Sequence, residues 1–457
     1  MRRFLLCLAM LATGCPDRPL TTSEPVAATV FNKDIPVEAN LDVLFVIDDS
    51  GSTRDKQQVF AQNYKNFVAK LAEFPSGLPN LHLGVITSSI DVGRDVGAAV
   101  CHPASGTNGA LINTPRDPRA TCAQPTTDRF LADLAVPGGG RMVNYSGTLP
   151  DALSCISSVG DAGCGLEAPL EAIKRALDGS HPENAGFVRR GALLAVVILT
   201  DEDDCSADPQ LFAQTPVAGD SRDFTCALAA YQCDPSISTL GMHAGCRVRH
   251  DGLLRDPRDY ANFLTGLKGP AGVAVALVAG DPTPSIATGA LTMPLRQSVA
   301  VLPSCSATIN GTLAIGRPAL RLDEFRGVFG DRGLFRSVCQ ADYSGALSDI
   351  GKLVLKALSP CLEGTLDTRD RDADMPGLQP DCAVAQIQGE GTAAESDTVI
   401  PQCKMIAAGQ PDLAVAPCWW IAADAACETE TQLSLHVERR AAPPPGSVVR
   451  VSCAGAE

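Results

Sequence analysis

The sequence predicts an α/β fold with a doubly wound, mostly parallel sheet, followed by a small cysteine-rich, β-rich domain at residues 359–457. Strongly apolar strands are predicted at 43–47, 191–204 and 272–282, and segments of helical periodicity separate them. Uninterrupted apolar runs are typical of parallel strands that are buried on both faces. The helical stripes stop at Cys361, where cysteines and short alternating runs begin to dominate.

Length, composition and charge narrow the class of protein. The 457 residues are too many for one compact core, and the apolar content of 45% lies in the globular range. The formal net charge of −15 argues against nucleic acid as a partner. The sequence has no GxSxG, HExxH or phosphate-loop motif, so we do not expect an enzyme.

Residues 1–15 have the layout of a lipoprotein-type signal. Two arginines and a short apolar run precede Gly14-Cys15, which resembles a bacterial lipobox. The run is too short to span a bilayer as a mature helix. We expect lipidation of Cys15, membrane attachment by that lipid anchor only, and a tether over 16–39. The alternative is an ordinary cleaved signal in which Cys15 has no role.

Cysteine usage indicates an oxidising compartment. The chain has 18 cysteines, and removing Cys7 of the signal and Cys15 leaves an even set that is sufficient for eight disulfides. One sequence does not determine how they connect. The local pairs that we expect are Cys101–Cys122, Cys155–Cys164, Cys205–Cys226 and Cys233–Cys246.

Strands and helices alternate over 40–358, the predicted first domain. Two Gly- and Cys-rich segments, at about 90–160 and 205–255, are interpreted as disulfide-rich insertions. The pattern is that of a Rossmann-like domain, which binds ligands at the carboxyl ends of its parallel strands. Apolar spacing predicts helices near 60–71, 170–177, 260–267, 322–329 and 347–353, and a further strand at 81–89.

Oxygen-bearing side chains follow two of the predicted strands. The segment FVIDDSGS places Asp48, Ser50 and Ser52 after one strand, and VVILTDEDD places Asp201 after another. Hydroxyl and carboxylate oxygens at one edge of a sheet suit Mg²⁺, or Mn²⁺ in its place. The alternative is that Asp-Ser-Gly-Ser only forms a turn and caps the next helix.

The Asp48-x-Ser50-x-Ser52 pattern, with Asp201 and this order of elements, resembles the von Willebrand factor A (VWA) domain, in particular cysteine-rich bacterial lipoproteins. The resemblance implies a metal-ion-dependent adhesion site. Ser50 and Ser52 would ligate Mg²⁺ or Mn²⁺ directly, and Asp48 and Asp201 would hold its waters. It further implies an adhesion module of the bacterial envelope, in the outer membrane or at the cell surface, which binds an acidic residue of a protein or peptide.

One expected ligand is missing. The VWA family has a Thr in the loop before the helix that contains Leu170, and this chain has no hydroxyl there. Glu167 is a substitute ligand in one interpretation and a solvated residue of the first helical turn in the other. Asp203 and Asp204 are interpreted as surface charges beside Cys205.

A second, calcium-type site is a weaker alternative. Asp370, Asp372 and Asp374 copy the first three ligand positions of a calcium loop, but Met375 stands where such a loop has Gly. The segment therefore has a second interpretation, as a solvated linker.

The function also has an alternative. In it, the first domain is a metal-free scaffold of the cell envelope, and the insertions or the C-terminal domain make its contacts. We expect His82 and the Trp419-Trp420 pair to be packed residues in both cases.

Overall fold

The computed structural model describes residues 30–36, 39–74, 77–93, 101–102, 106–120, 122, 128–136, 139–213, 222–293, 296–362, 364–369, 374–388, 394–412, 414, 416–425, 427, 429, 431–441 and 447–455. The strands are β1 Val30–Pro36, β2 Asn40–Ile47, β3 Asn80–Thr87, β4 Leu131–Ala135, β5 Arg141–Val143, β6 Leu193–Leu199, β7 Tyr231–Asp234, β8 Gly241–Val248, β9 Val273–Ala279, β10 Ile286–Met293, β11 Arg296–Val301, β12 Cys305–Ile309, β13 Thr312–Gly316, β14 Gly333–Ser337, β15 Cys382–Gln388, β16 Ser396–Ile400, β17 Met405–Ala407, β18 Gln410–Pro411, β19 Cys418–Ala423, β20 Leu433–Glu438 and β21 Val448–Ala454. The α-helices are α1 Arg54–Gln62, α2 Tyr64–Leu71, α3 Leu149–Ile156, α4 Pro169–Leu177, α5 Gln210–Ala213, α6 Arg222–Ala230, α7 Pro257–Lys268, α8 Leu320–Gly327 and α9 Ser344–Leu358.

A seven-stranded sheet is the centre of the first domain, in the order β14-β9-β6-β2-β3-β4-β5. The strands β14, β9, β6, β2 and β3 are parallel, while β4 and β5 extend the sheet antiparallel. The sheet is doubly wound, because alternate residues of β2 enter different cores. Leu44 and Val46 pack with α4, α7 and α8, whereas Val43 and Phe45 pack with α1, α2, α3 and α9. The predicted fold class is confirmed.

The insertions differ from their predicted extent. A second sheet has the order β11-β10-β8-β7. It joins the predicted 205–255 insertion to strands after β9, so that insertion is built from two separate parts of the chain. The strands β10 and β11 were missed because their mixed polar and apolar sequence lacks the continuous apolar run that marks the central strands.

Eight disulfides connect all the cysteines other than Cys7 and Cys15, as the even count predicts. The expected pairs Cys205–Cys226 and Cys233–Cys246 are confirmed. The other two expected pairs are wrong, because the first insertion folds back on the last turn of α3 and on the loop that follows it, instead of closing on neighbouring cysteines. The observed pairs there are Cys101–Cys164 and Cys122–Cys155.

The cysteine-rich part after the first domain forms a β-rich unit around a four-stranded sheet, β1-β21-β15-β16. Its strand β1 lies within the predicted tether, pairs antiparallel with β21 and buries Ile35 in this core. Residues 30–36 are therefore a strand and not a tether. Residues 1–29, including Cys15, lie outside the described residues.

The two tryptophans of this unit have different surroundings. Trp419 is only 3% exposed and belongs to the core, as predicted. Trp420 is half-buried and stacks on His436, with ring centroids 5.0 Å apart. In the part of the chain that the structure describes, none of the helices combines the length and apolar character needed to cross a membrane.

Candidate metal centre at the carboxyl edge of the sheet

The structure brings the predicted oxygen ligands together. Ser50 Oγ lies 3.1 Å from Ser52 Oγ, which in turn donates a hydrogen bond of 3.1 Å to Asp201 Oδ1. The strands β2 and β6 are parallel neighbours, so the loops that follow them meet at one edge of the sheet. Ser52 is exposed, whereas Asp201 is buried. We call Asp48, Ser50, Ser52 and Asp201, together with Lys56, which is described below, the serine cluster.

Asp48 lies beneath the two serines and is fully buried. Its Oδ1 accepts from the Ser50 backbone N–H at 2.8 Å, and its Oδ2 accepts from Thr200 Oγ1 at 2.7 Å. Burial, together with the nearby charge of Asp201, raises the pKa of Asp48 to about 7. A cation above this carboxylate would favour its charged form.

A lysine completes the serine cluster. Lys56, in the first turn of α1, is 2% exposed, and its Nζ donates to Asp201 Oδ2 at 2.7 Å and to Ser52 O at 3.0 Å. The helix dipole disfavours a positive charge in the first turn of a helix, so a buried lysine there indicates a specific anionic partner. The sequence shows the lysine at this position but does not identify the partner, because Asp201 is far away along the chain.

The oxygens of the cluster fit the coordination chemistry of a small hard cation. Neighbouring ligands of octahedral Mg²⁺, with bonds of 2.0–2.1 Å, lie about 3 Å apart, which matches the Ser50–Ser52 separation of 3.1 Å. Asp201 lies 3.1 Å from Ser52, where it could hold a water of the ion. Ser88, which follows β3 at the same edge, has a buried hydroxyl with no hydrogen-bond partner among the described residues. Such an orphaned group costs free energy, which a bound ion or water would relieve.

The first insertion covers the other side of the DDSGS loop. Asp49 is buried, and its Oδ1 accepts from Ser89 Oγ at 2.6 Å while its backbone O accepts from Gly163 N at 2.7 Å. A Cβ atom at Gly163 would lie 2.5 Å from Asp49 Oδ1, and one at Gly106 would lie 2.8 Å from Asp49 Oδ2. Glycine is therefore required where these two loops approach Asp49. Burial raises the pKa of Asp49 above its ordinary value.

Charged residues form the rim on this side. Arg54 Nε donates to Asp161 Oδ2 at 2.8 Å, and Arg119 Nη2 donates to Asp161 Oδ1 at 2.8 Å. Gln57 Nε2 connects the insertion to the site, since it donates to Gly160 O at 2.8 Å and to Asp48 O at 2.6 Å. Residues of α1 and of the first insertion thus form this rim together.

Glu167 is buried, so its interpretation as a solvated residue of the first helical turn is wrong. It is 4% exposed and precedes α4, and its backbone O accepts from Cys205 N at 2.6 Å. Its side chain lines a small cavity of about 40 Å³ with Glu202, Asp204 and Arg317, and Glu202 pairs with Arg317. Its role as a metal ligand stays a prediction.

The interpretation of Asp203 and Asp204 as surface charges is wrong. Asp204 is 1% exposed, and its Oδ2 lies 3.0 Å from Nη2 of Arg321, which is also fully buried. Asp203 Oδ2 accepts from Tyr231 OH at 2.5 Å, and both Asp203 oxygens accept backbone N–H groups at the start of α8. Burial raises the pKa of Asp203 to about 6. We call Asp203, Asp204, Tyr231 and Arg321 the arginine cluster.

Other candidate ligands lie elsewhere. Asp370 and Asp372 lie outside the described residues, and the calcium alternative that includes Asp374 stays a prediction. His82 is packed as expected, 7% exposed, with Nδ1 2.8 Å from Phe187 O.

A group that the sequence did not suggest joins His250, Asp256 and Glu324. The two acids face different ring nitrogens of His250, at 3.2 and 3.4 Å. Arg258 pairs with both acids, at 2.5 and 3.6 Å. The group is thus an ion-pair network and not a set of ligands that converge on one point.

Comparisons with known proteins find only remote structural likeness. No family model matches the chain, and no curated protein matches it. The pilus adhesin SpaC of Lactobacillus rhamnosus GG, in its open conformation, aligns at 10% identity and a TM-score of 0.31, over 93% of this chain and 40% of that one. A von Willebrand factor type A structure from Catenulispora acidiphila aligns at 10% identity and a TM-score of 0.26, over 94% and 62%.

A third solved structure, the pilus adhesin RrgA of Streptococcus pneumoniae, aligns at 10% identity and a TM-score of 0.27, over 93% of this chain and 57% of that one. The chain spans 40% to 62% of the length of these three structures. Likeness of this strength has no bearing on function. The VWA-like character of the fold is seen in the chain itself, whose parallel, doubly wound sheet carries the Asp48-x-Ser50-x-Ser52 loop at its carboxyl edge.

Proposed function

We propose that this chain is a non-enzymatic, cation-dependent adhesion module that binds a carboxylate of a protein or peptide partner. The observation that carries the proposal is the oxygen array of Ser50, Ser52 and Asp201, with 3.1 Å between successive oxygens. When bound, Mg²⁺ or Mn²⁺ would supply an electrophilic centre that takes the partner carboxylate as a ligand.

The chain's own residues divide the work in this proposal. Ser50 and Ser52 offer neutral oxygens, so a cation held by them keeps most of its charge for the partner. Asp48 is fixed by the Ser50 N–H and by Thr200, which orients its oxygens toward the site. Arg54 and Arg119 on the rim are paired with Asp117 and Asp161, so they shape the approach to the site without giving it a net positive charge.

The first test is thermal melting of the oxidised full chain with EDTA, Mg²⁺, Mn²⁺ and Ca²⁺. A cation at about a hundred times its dissociation constant adds about 2.7 kcal/mol to the free energy of unfolding. We expect a rise in Tm with Mg²⁺ or Mn²⁺ that Ser50→Ala abolishes. The matched control, Ser238→Ala in an exposed loop, keeps the rise. A rise with Ca²⁺ alone that survives Ser50→Ala would redirect attention to Asp370, Asp372 and Asp374.

The second test measures the partner class. A peptide array with Asp at one position is compared with the same array carrying Asn. We expect binding that prefers Asp, needs Mg²⁺ or Mn²⁺ and is lost in Ser50→Ala. Binding that is equal for Asp and Asn, or indifferent to EDTA, contradicts the proposal.

A second candidate function is a metal-free scaffold of the cell envelope, and Lys56 is the specific observation in its favour. Its ammonium group already neutralises Asp201 inside the site. In this case no divalent cation changes the Tm.

Eight disulfides are typical of an extracellular or cell-surface protein. We propose in addition a bacterial lipoprotein, attached through Cys15 to the outer membrane or the cell surface. In a bacterial host, Cys15→Ser would then move the protein from the membrane fraction to the soluble fraction. An unchanged distribution contradicts the lipid anchor.

A further inference from the structure

We propose that Lys56 is a built-in counter-cation, which weakens the binding of a metal ion to the serine cluster and makes that binding depend on an anionic partner. This inference rests on the proposed function and deepens it, since it concerns how the same site is regulated. The feature that points to it is a lysine ammonium group inside the oxygen array.

The position of Lys56 is specific. Its side chain is 2% exposed, and Nζ bonds to Asp201 Oδ2 at 2.7 Å and to Ser52 O at 3.0 Å. Both partners belong to the serine cluster, and Asp201 offers its other oxygen, Oδ1, to Ser52 Oγ. One carboxylate is therefore shared between a fixed ammonium group and the hydroxyl array.

The charges explain the consequence. With both carboxylates ionised, Asp48 and Asp201 bring two negative charges and Lys56 brings one positive charge, which leaves a single net negative charge. A dication bound to such a site carries an uncompensated positive charge, which opposes its binding until an anion arrives. A site without Lys56 would hold the same dication at neutral overall charge. Lys56 therefore lowers the affinity of the site for the metal ion alone and raises the affinity of the metal-bound site for the partner carboxylate.

Lys56 also acts as a positioning residue. Its bond to Asp201 Oδ2 fixes the rotation of the carboxylate, so that Oδ1 faces Ser52 Oγ. Lys56→Met therefore removes both the positive charge and the bond that positions Asp201. Lys56→Arg keeps the charge, so the comparison of the two variants separates these effects.

The test measures free Mn²⁺ by electron paramagnetic resonance during titration of the full, oxidised chain, with and without sodium acetate as a carboxylate probe. We compare wild type with Lys56→Met and with Lys56→Arg. Lys70→Met is the matched control, because Lys70 is a half-buried lysine of α2 that pairs with Glu73 and lies outside the serine cluster. We expect Lys56→Met to bind Mn²⁺ at least tenfold more tightly without acetate. Acetate should tighten Mn²⁺ binding at least threefold in wild type and less than that in Lys56→Met.

The outcomes separate the inference from the function it rests on. Equal Mn²⁺ affinity in wild type and Lys56→Met, with binding in both, overturns the inference and leaves the proposed site intact. Binding in Lys56→Met alone supports the inference in a stronger form, in which Lys56 replaces the metal, and overturns a metal-dependent function. No binding in either variant, when both melt cooperatively, overturns both proposals. Weaker binding in Lys56→Met with wild-type affinity in Lys56→Arg shows that Lys56 only positions Asp201, which also overturns the counter-cation role.

Discussion

The acids that follow β6 belong to two clusters of different character. In the serine cluster, Asp201 shares its oxygens between a lysine and a hydroxyl, and Ser52 beside it is exposed. In the arginine cluster, Asp203 and Asp204 accept from a buried guanidinium group, a tyrosine hydroxyl and the backbone N–H groups at the start of α8.

This difference separates a structural acid from a candidate ligand. The oxygens of Asp203 and Asp204 are bound by donors of the fold itself, which ties β6 to α8 and α4. One oxygen of Asp201 is bound by Lys56, and the other accepts from the Ser52 hydroxyl, which can turn toward a cation. The chemical type of the neighbouring donors, more than the number of acids, identifies the site.

The largest loss of stability is predicted for a variant that breaks the arginine cluster. Asp204→Ala leaves Arg321, which is 0% exposed, with an unpaired charge and removes the acceptor of the Leu170 N–H. Loss of one partner of a buried pair costs about 3–5 kcal/mol in the free energy of unfolding. Chemical denaturation measures this value.

The matched control for that variant is Asp349→Ala, which breaks the more exposed pair with Arg336. We expect a loss of about 0–1 kcal/mol there. Equal losses in the two variants would contradict the structural role assigned to the arginine cluster.

A smaller effect concerns the loop that supports the serine cluster. In Gly163→Ala the new Cβ would lie within 2.6 Å of the Asp49 carboxyl group and backbone O, so one of the two loops must shift. Overpacking of this kind costs about 1–3 kcal/mol, and thermal melting with calorimetry measures it. Gly266→Ala is a control with an expected effect of opposite sign, because its new Cβ on α7 would meet nothing within 4 Å. We expect this variant to gain about 0.5–1 kcal/mol in the free energy of unfolding.

The smallest effect tests whether acid sensitivity comes from outside these clusters. At the amino edge of the sheet, burial lowers the pKa of His82, while Asp42 and Arg189 act on it in opposite directions. The unfolded chain takes up a proton near pH 6.5 and the folded chain only at lower pH, so this residue lowers stability as the pH falls below about 6.5.

We therefore expect wild type to lose stability relative to His82→Gln between pH 7 and pH 5. Denaturation at several pH values measures the difference. A constant difference across this range would assign the acid sensitivity of the chain to other groups.

The sequence was sufficient for the central parallel strands β2, β3, β6 and β9, and for the proximity of the candidate ligands Ser50, Ser52 and Asp201. Strands buried on both faces are continuous apolar runs, and parallel neighbours bring their carboxyl ends together. The outer strands β4, β5 and β14, of which β5 and β14 form the edges, lack such runs because they are short and partly exposed, so they were not predicted.

The remaining features depend on pairs that are distant in sequence. Lys56 with Asp201 and Arg321 with Asp204 are buried ion pairs whose partners no local pattern identifies. Two cysteine pairs were exchanged for the same reason, since nearness along the chain was the only available guide. Asp203 and Asp204 were misjudged because hydrophilic residues in a loop resemble surface charges until their partners are known.

The pairing of β1 with β21 has a consequence for the order of folding. During synthesis, β1 leaves the ribosome before the whole VWA-like domain, and its partner strand follows only after that domain. The VWA-like domain can therefore fold while β1 is still unpaired, and the C-terminal sheet closes last, over a very long loop. The disulfide Cys382–Cys453 joins β15 to β21 in that sheet, so its formation reports that the final step is complete.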